Sequence, residues 1–169
     1  MAASSVVVVR RLSDVARLPM RGTDGAAGYD LATAEDVVLM PGRGAPRSLR
    51  TDIAIERMPP DVYDRIATRS SLSLRHGVEV GASVIDPDYR GAIHVLLYNH
   101  GTDPVTFVKG DRIAQLVFER FITPLIVDAA DGRVSFSVAP QRGTGAFGST
   151  GLASSPALPE SNNHNTSLA

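Results

Sequence analysis

The stretch Ser83-Val84-Ile85-Asp86-Pro87-Asp88-Tyr89-Arg90-Gly91 places a tight-turn sequence between apolar residues. Asp side chains hydrogen-bond to their own backbone, and Pro has a φ angle that suits a turn. The apolar run Ile93–Tyr98 that follows is typical of a β-strand. The stretch therefore predicts the tip of a β-hairpin. By itself it predicts turn-forming roles for Asp86 and Asp88, and ordinary hairpin packing for Tyr89.

The rest of the chain continues this pattern of short apolar segments. The segments are rich in Val, Ile, Phe and Tyr, and Gly, Pro and Asp separate them at fairly regular intervals. No helical periodicity longer than two turns stands out. Many short strands of this kind are typical of a sandwich, jelly roll or barrel. The sequence therefore predicts an all-β fold with strands at Val6–Val9, Val37–Leu39, Thr51–Ile55, Val62–Ala67, Ile93–Tyr98, Val105–Val108 and Ile113–Phe121.

One short helix is predicted over Ser70–His76. Ser70 or Ser71 can cap its start and Gly77 can end it. The helix opens with Arg69-Ser70-Ser71-Leu72, and a helix N-terminus with an Arg and two hydroxyls suits a phosphate group. A capped helix with a surface arginine is the simpler interpretation of this segment taken alone.

The composition changes near the C-terminus. Residues 142–151 read Arg-Gly-Thr-Gly-Ala-Phe-Gly-Ser-Thr-Gly, which cannot form a regular element. Phe147 has nothing local to pack on, so it is either exposed or closes over a ligand as part of a mobile lid. Residues 152–169 are rich in Ser, Pro and Asn, which predicts a disordered tail. We therefore expect a folded core over 1–141, a Gly-rich lid over 142–151 and a tail over 152–169.

Composition limits the function classes. The 169 residues carry a net charge of −1 and no cysteine, which excludes a disulfide framework and thiolate chemistry and predicts no direct nucleic-acid partner. The four histidines show no metal-ligand spacing. No apolar run approaches the roughly 20 residues of a membrane-spanning helix, and Val6–Val9 is shorter than the apolar region of about 7–15 residues in a secretory signal. We expect an intracellular protein, cytoplasmic or nuclear, with no membrane partner.

Five segments follow one another along the chain: Ala27–Leu31, Arg69–Leu72, Val84–Gly91, Gly110–Leu116 and Arg142–Gly151. Taken in order, they resemble the motifs of the trimeric dUTPase family. The resemblance runs over about residues 6–151 and implies a jelly-roll-like distorted barrel with one short helix. It also implies a homotrimer whose active sites are shared between subunits, and hydrolysis of dUTP to dUMP and pyrophosphate. That reaction limits uracil incorporation into DNA and supplies dUMP for dTMP synthesis.

The resemblance also implies catalytic roles. Asp86 would be the general base that deprotonates a water for attack on the α-phosphorus, since an aspartate carboxylate is ordinarily ionised at neutral pH. Asp30 would organise the surroundings of the metal-bound triphosphate. Mg²⁺ would be coordinated by the three phosphates and water, so no direct protein ligand to the metal is expected.

Substrate-binding roles follow from the same resemblance. Tyr89 would pack under the deoxyribose so closely that a 2′-hydroxyl has no room. The backbone from Ser83 through Val84 and Ile85 to about His94 would read uracil, while the imidazole of His94 is an ordinary surface group. Phosphate oxygens would be held by Arg69, Ser70, Ser71 and Gln115. In the lid, Arg142 would clamp the γ-phosphate and Phe147 would stack on uracil, with Gly148 and Ser149 beside them.

Several positions depart from the usual family pattern. Asp64, Ser71 and Ser83 stand where Gly is usual, Thr68 where Pro is usual, and Ala146 where the lid commonly has Gly. Each Gly replacement adds a Cβ where the backbone can need positive φ or close approach to a ligand. These changes bear on turnover and lid closure more than on substrate identity.

Two alternatives stand beside this reading. The dCTP deaminases share the fold and favour Arg-Ser-Ser-Leu in the second motif, but they need a Glu in the strand after the hairpin. Aligned on Tyr98-Asn99, that position is Leu96, which cannot transfer a proton. The second alternative is a non-catalytic dUTPase-derived interaction module. Such modules typically lose the acidic base and the lid, and this chain retains both.

Overall fold

The computed structural model describes residues 6–42 and 46–132, and within them the chain is built mainly of short antiparallel strands. The all-β prediction is confirmed. One α-helix, α1 (Ser70–His76), and a 3₁₀ helix (Ala129–Asp131) accompany the strands. The strands are β1 (Val8–Arg11), β2 (Tyr29–Ala32), β3 (Val37–Leu39), β4 (Arg47–Arg50), β5 (Ile53–Arg57), β6 (Val62–Ala67), β7 (Val78–Val80), β8 (Val84–Ile85), β9 (His94–Asn99), β10 (Val105–Phe107) and β11 (Arg112–Arg120).

The candidate functional residues lie on or next to two sheets. A four-stranded sheet has the order β2-β11-β6-β8, and a three-stranded sheet has the order β4-β9-β7. The pairs β1-β5 and β10-β3 complete the strand pairing. Strand β6 is central to the first sheet: Asp64 lies opposite Phe118 on one side and opposite Ile85 on the other.

The core is formed by side chains that alternate along each strand between the interior and the surface. In β9, Val95, Leu97 and Asn99 are buried while the residues between them are more exposed, as the period of two in a strand requires. The amide of Asn99 donates to the carbonyls of Leu39 and Asp103, which satisfies this buried polar group. The largest fully buried apolar side chains are Leu31, Leu39, Leu49, Ile53, Ile93, Leu97, Ile113 and Leu116.

Four strands went unpredicted because they are short or polar: β2, β4, β7 and β8. Strand β4 is Arg-Ser-Leu-Arg, in which only Leu49 is buried, and β8 has two residues. Three predicted strands also start later than expected, at Val8 instead of Val6, at Ile53 instead of Thr51 and at His94 instead of Ile93. The second shift follows from Asp52, whose φ of 54° is outside the strand region.

The predicted helix has the expected bounds and the expected end. Gly77 adopts a left-handed conformation with φ 63°, and its N–H donates to carbonyls of the last turn, as a C-terminal glycine allows. The predicted serine cap is wrong. The extended residue that precedes the helix is Arg69, which provides no side-chain cap, so Ser70 and Ser71 lie inside the first turn.

The chain divides into two compact units, Met1–Thr123 and Pro124–Ala169. The described part of the second unit includes the 3₁₀ helix, at whose start the Asp128 carboxylate accepts a hydrogen bond from the Ala130 N–H. The predicted boundaries at 141/142 and 151/152 lie outside the described residues and stay predictions. Neither helix in residues 6–42 and 46–132 has the length and apolar character that crossing a membrane requires.

Candidate active site

Three charged side chains meet beside the end of β6 that leads into α1. The Asp30 carboxylate receives Arg69 through Nε–Oδ1 at 3.1 Å and Arg112 through Nη1–Oδ2 at 2.9 Å. Arg69 Nη1 also donates to the Arg112 carbonyl at 2.8 Å. Because both Asp30 oxygens are engaged, the two guanidinium groups are held close together and keep further N–H donors for an anion.

Gln115 joins this group through the sheet. It lies opposite Asp30 in β2 and opposite Ala67 in β6, and its Nε2 donates to the Thr68 carbonyl at 3.0 Å. A Cβ on Gly28 would collide with the Gln115 amide, so a larger residue at that position would displace the Gln115 side chain. We call Asp30, Arg69, Arg112 and Gln115, together with the exposed Ser70 and Ser71 at the start of α1, the arginine corner.

A cleft opens beside the arginine corner, with a volume of about 400 Å³. Arg69 and Arg112 line it, and its wall includes α1 and β10. The other lining residues are Leu72, His76, Pro104, Val105, Thr106, Phe107 and Asp111.

The second group of predicted residues surrounds a tight turn at Asp86–Tyr89. The Tyr89 N–H donates to the Asp86 carbonyl at 3.0 Å, and the Asp86 side chain is exposed. Arg90 Nη1 donates to the carbonyls of Pro87 at 2.7 Å and Tyr89 at 2.9 Å. The predicted turn is therefore present, and a guanidinium group binds its backbone.

The strands around the turn pair differently from a simple hairpin. Strand β9 pairs with β7, whereas β8, immediately before the turn, pairs with β6. The Ser83 carbonyl accepts the Ile66 N–H at 2.8 Å, which ties the start of this segment to β6. Val84 is 64% exposed and Ile85 is half-buried. The segment thus bridges two sheets.

Tyr89 and His94 both lie at the surface. The Tyr89 hydroxyl donates to the Ala92 carbonyl at 3.0 Å, and the side chain is 47% exposed. A Cβ on Gly91 would collide with the Tyr89 ring and hydroxyl. The His94 imidazole is exposed, with Nδ1 3.3 Å from the Ser48 hydroxyl.

The arginine corner and the residues around the Asp86–Tyr89 turn lie towards opposite ends of β6. Gln115 is opposite Ala67, near one end, whereas Ile85 is opposite Asp64, and the chain continues from Ile85 to Asp86 away from Ala67. Ala67 and Asp64 are three residues apart in β6, which at the rise of a β-strand corresponds to about 10 Å. Within the part of the chain that the structure describes, no side-chain hydrogen bond or ion pair joins the two groups.

Comparison with known proteins identifies the family to which this chain belongs. A family model described as dUTPase matches residues 14–151. The chain belongs to the dUTPase family. The Frog virus 3 (isolate Goorha) protein named putative deoxyuridine 5'-triphosphate nucleotidohydrolase is 48% identical over 145 residues, which cover 84% of this chain and 82% of the viral protein.

Solved dUTPase structures share the fold. A point variant of the Staphylococcus bacteriophage 80alpha dUTPase with dUpNHpp matches with a TM-score of 0.78 and 26% identity, covering 88% of this chain and 100% of that chain. A variant dUTPase from phage phi11 of S. aureus, described in terms of the coordination of a structural Mg(II) ion, matches with a TM-score of 0.68 and 25% identity. It covers 73% of this chain and 96% of its own. The predicted jelly-roll-like fold is confirmed.

One residue of the arginine corner was missed in the sequence. Arg112 belongs to the fourth motif, but nothing in the motif alone shows that it reaches Asp30 in β2. The pairing of β11 with β2 brings them together.

Asp64 is a second residue without an assigned role, marked in the sequence only by replacing a common Gly. Its side chain is fully buried, and neither carboxylate oxygen has a hydrogen-bond partner among the described residues. Burial raises the pKa of the Asp64 carboxyl to about 7, although the positive charge of Arg90 lowers it.

The lid residues predicted to bind substrate, Arg142, Phe147, Gly148 and Ser149, lie outside the described residues. Within residues 6–42 and 46–132, no group of three or more His, Cys, Asp or Glu side chains is arranged to hold a metal ion.

Proposed function

We propose that this dUTPase splits dUTP into dUMP and pyrophosphate with Asp86 as the general base. The observation that carries this assignment is the exposed carboxylate of Asp86 on a turn held by Arg90. An exposed, well-positioned carboxylate can accept a proton from water, and base catalysis of this kind is typically worth about 10²–10⁴-fold. The family membership supports the substrate and the reaction.

In the proposed step, a water attacks the α-phosphorus in line with the bridging oxygen to the β-phosphate. A P–O bond to water forms, the bond to that bridging oxygen breaks, and pyrophosphate leaves. Asp86 takes the proton of the attacking water. Substrate and protein need no change of redox state.

The arginine corner holds the phosphates in this proposal. Arg69 and the hydroxyls of Ser70 and Ser71 donate to phosphate oxygens together with Gln115, and Arg112 adds a second guanidinium. Asp30 fixes both arginines in place, because each is bonded to one of its oxygens. Hydrogen bonds from a guanidinium to phosphate are charge-assisted and therefore among the strong ones.

Sugar and base are recognised at the turn. Tyr89 is fixed through its hydroxyl, and its exposed ring provides a flat surface for the deoxyribose that leaves no room for a 2′-hydroxyl. Uracil is read by backbone groups between Ser83 and His94.

A complete site requires more than one subunit. The turn and the arginine corner lie towards opposite ends of β6, and in this proposal one bound nucleotide contacts the turn of one subunit and the arginine corner of another. A homotrimer with closed symmetry provides three such sites.

The chain would hold Mg²⁺ through the phosphates of the substrate, with Arg69, Ser70, Ser71 and Gln115 on the phosphate oxygens. The donors that face an incoming ligand at the arginine corner are guanidinium groups, which suit phosphate oxygens better than a bare cation. When bound, Mg²⁺ neutralises phosphate charge. The residues of the chain hold the phosphates around it, and Asp30 keeps the arginines in position.

The lid completes the proposed site, with Arg142 on the γ-phosphate and Phe147 on uracil. Truncation after Pro140 is expected to remove efficient turnover and leave the fold intact, because it deletes both groups. Truncation after Gly151 removes only residues 152–169, which have no assigned contact, and is expected to change little. Wild-type kinetics in both truncated proteins would contradict the lid assignment.

The decisive assay compares four nucleotides. Pyrophosphate release is measured with dUTP, UTP, dCTP and dTTP in the presence of magnesium, and ammonia release is measured with dCTP. We expect turnover of dUTP alone. Ammonia release would instead indicate a deaminase, which is disfavoured because Leu96 contributes only hydrocarbon and lies close to Gly81. No release from any nucleotide would favour a non-catalytic module.

A further inference from the structure

The four-stranded sheet turns one face to the hydrophobic core and the other away from it. In β6, Asp64 and Ile66 are buried. The alternate residues, Tyr63, Arg65 and Ala67, are only half-buried, as the period of two in a strand requires. Residues that lie opposite each other in paired strands point to the same side. We call this second side the outer sheet face; by the strand register its members are Asp30, Tyr63, Arg65, Ala67, Val84, Gln115, Val117 and Glu119.

Both halves of the proposed site border the outer sheet face. At one end, Asp30 and Gln115 belong to the arginine corner. At the other, Val84 lies opposite Arg65 and is 64% exposed, and Asp86, two residues further along the chain, is exposed as well. The face therefore extends from the proposed phosphate-binding residues to the strand that leads into the proposed base.

The charged side chains of the outer sheet face are paired within the chain. Arg65 bonds to Glu119 Oε1 through Nε at 2.9 Å and Nη2 at 2.5 Å, and the Tyr63 hydroxyl donates to Glu119 Oε2. The Arg65 and Glu119 side chains are still 39% and 32% exposed. Partly exposed valines around a neutral, hydrogen-bonded pair make this surface suitable for burial against another protein chain.

A second copy of the same chain fits this surface better than a charged partner does. In a closed symmetric oligomer, residues near the symmetry axis meet their own copies, so an unpaired charge there would face a like charge and be repelled. Each of the three charged members of the outer sheet face, Asp30, Arg65 and Glu119, is paired in its own chain. These members therefore neither repel a copy of themselves nor attract an oppositely charged surface.

We propose that the outer sheet face is the surface on which a second subunit packs when the shared site forms. The proposal rests on the proposed function, because that function takes the turn of one subunit and the arginine corner of another. Contact at this face places a second chain beside both the arginine corner and the strand that leads into Asp86. Val84 and Val117 become buried in the assembly, and the Arg65–Glu119 pair lies within the interface.

The first test is thiol labelling of two single-cysteine variants, Val84→Cys and its control Val38→Cys. The chain has no cysteine of its own, so each variant carries one thiol. In the single chain Val84 is 64% and Val38 is 49% exposed, and Val38 lies in β3, outside the four-stranded sheet. In the native protein a maleimide is expected to react at least about tenfold more slowly with the thiol at 84 than with that at 38, because the first reacts only when the interface opens. In urea the two rates should be equal.

Equal or faster labelling at position 84 in the native protein would overturn the proposal, because that is the order that exposure in the single chain predicts. Light scattering on the same sample identifies what covers the thiol. A protected thiol in a protein of monomeric mass would be covered by residues of its own chain, and this outcome would also overturn the proposal.

A second variant places an unpaired charge in the middle of the face. Val117 is half-buried, so in a single chain the lysine of Val117→Lys can extend to water, whereas copies packed around one axis would bring like charges together. The mass by light scattering is expected to fall towards that of one chain, and dUTP turnover to fall with it, while circular dichroism retains the strand signal. The matched control Val38→Lys should keep the wild-type mass and turnover. Wild-type mass and turnover in Val117→Lys would reject the face, and the conservative Val84→Cys decides the question where Val117→Lys does not fold.

Failure of the proposed function would have a different signature. An assembled protein that protects the thiol at 84 and does not hydrolyse dUTP would contradict the function and retain the interface. An active protein in which that thiol is labelled freely would reject the interface and leave the function standing.

Discussion

Asp86 and Asp88 are two residues apart in the same turn, and only Asp86 is assigned a chemical role. Asp86→Asn is expected to lower kcat by about 10²–10⁴-fold, because the amide keeps the size of the side chain and cannot accept the proton of water. Affinity for a non-hydrolysable dUTP analogue should be preserved, because Tyr89, the backbone and the arginine corner are unchanged. Steady-state kinetics and calorimetric binding measure the two effects separately.

Asp88→Asn is the matched control for this experiment. Its carboxylate is also exposed and belongs to the same turn, but we assign it to turn formation alone. The variant should retain most of the wild-type kcat. An inactive Asp88→Asn beside an active Asp86→Asn would require the base to be reassigned.

The ionisation of Asp64 is expected to make the stability of the fold depend on pH. Because burial raises the pKa of its carboxyl to about 7, the unfolded chain loses this proton near pH 4 while the folded chain keeps it. The free energy of unfolding should therefore fall by about 1.4 kcal/mol per pH unit between about pH 4 and about pH 7 from this group. Urea unfolding of the wild type and Asp64→Asn, at one protein concentration, measures the contribution as a difference between the two slopes. Equal slopes would show that Asp64 ionises normally in the folded protein.

At the scale of elements, the turn between β8 and β9 depends on Gly91 as well as on Arg90. A Cβ on Gly91 would collide with the Tyr89 ring, so Gly91→Ala is expected to displace the tyrosine that excludes a 2′-hydroxyl. The ratio of kcat/KM for dUTP to that for UTP should fall by about tenfold or more. Gly22→Ala is the control, because a Cβ there meets nothing within 4 Å. An unchanged ratio in Gly91→Ala would contradict the role of Tyr89 in sugar selection.

At the scale of the whole molecule, the proposed sharing of each site between the turn of one subunit and the arginine corner of another predicts complementation between inactive subunits. Asp86→Asn and Arg69→Ala should each be nearly inactive alone. After subunit exchange, a site that takes its turn from one variant and its arginine corner from the other has both groups intact. Random mixing makes about a quarter of the sites complete in this way. Recovered dUTP hydrolysis and a trimeric mass by light scattering would agree with sharing, whereas an active monomer or no recovery would refute it.

Local features of the fold and the site were predictable from the sequence alone. The Asp-Pro-Asp turn, the helix Ser70–His76 and its end at Gly77 each rest on residues adjacent in the chain, where φ preferences and hydrogen bonds within a few residues decide the structure. Longer strands such as β9 were found because a run rich in apolar residues needs no knowledge of its partner. The quoted motifs predicted the family, and the family match confirms it.

The tertiary structure decided which of these pieces meet. Val84 and Ile85 form a strand too short to be predicted from the sequence. Their pairing with β6 places the turn beyond Asp64 and away from Gln115. The contacts of Arg112 with Asp30 and the burial of Asp64 depend likewise on strand register between residues far apart in sequence. Register is set by packing of the whole sheet rather than by any one segment, which is why the sequence predicted the chemical groups and only the fold decided how they are distributed.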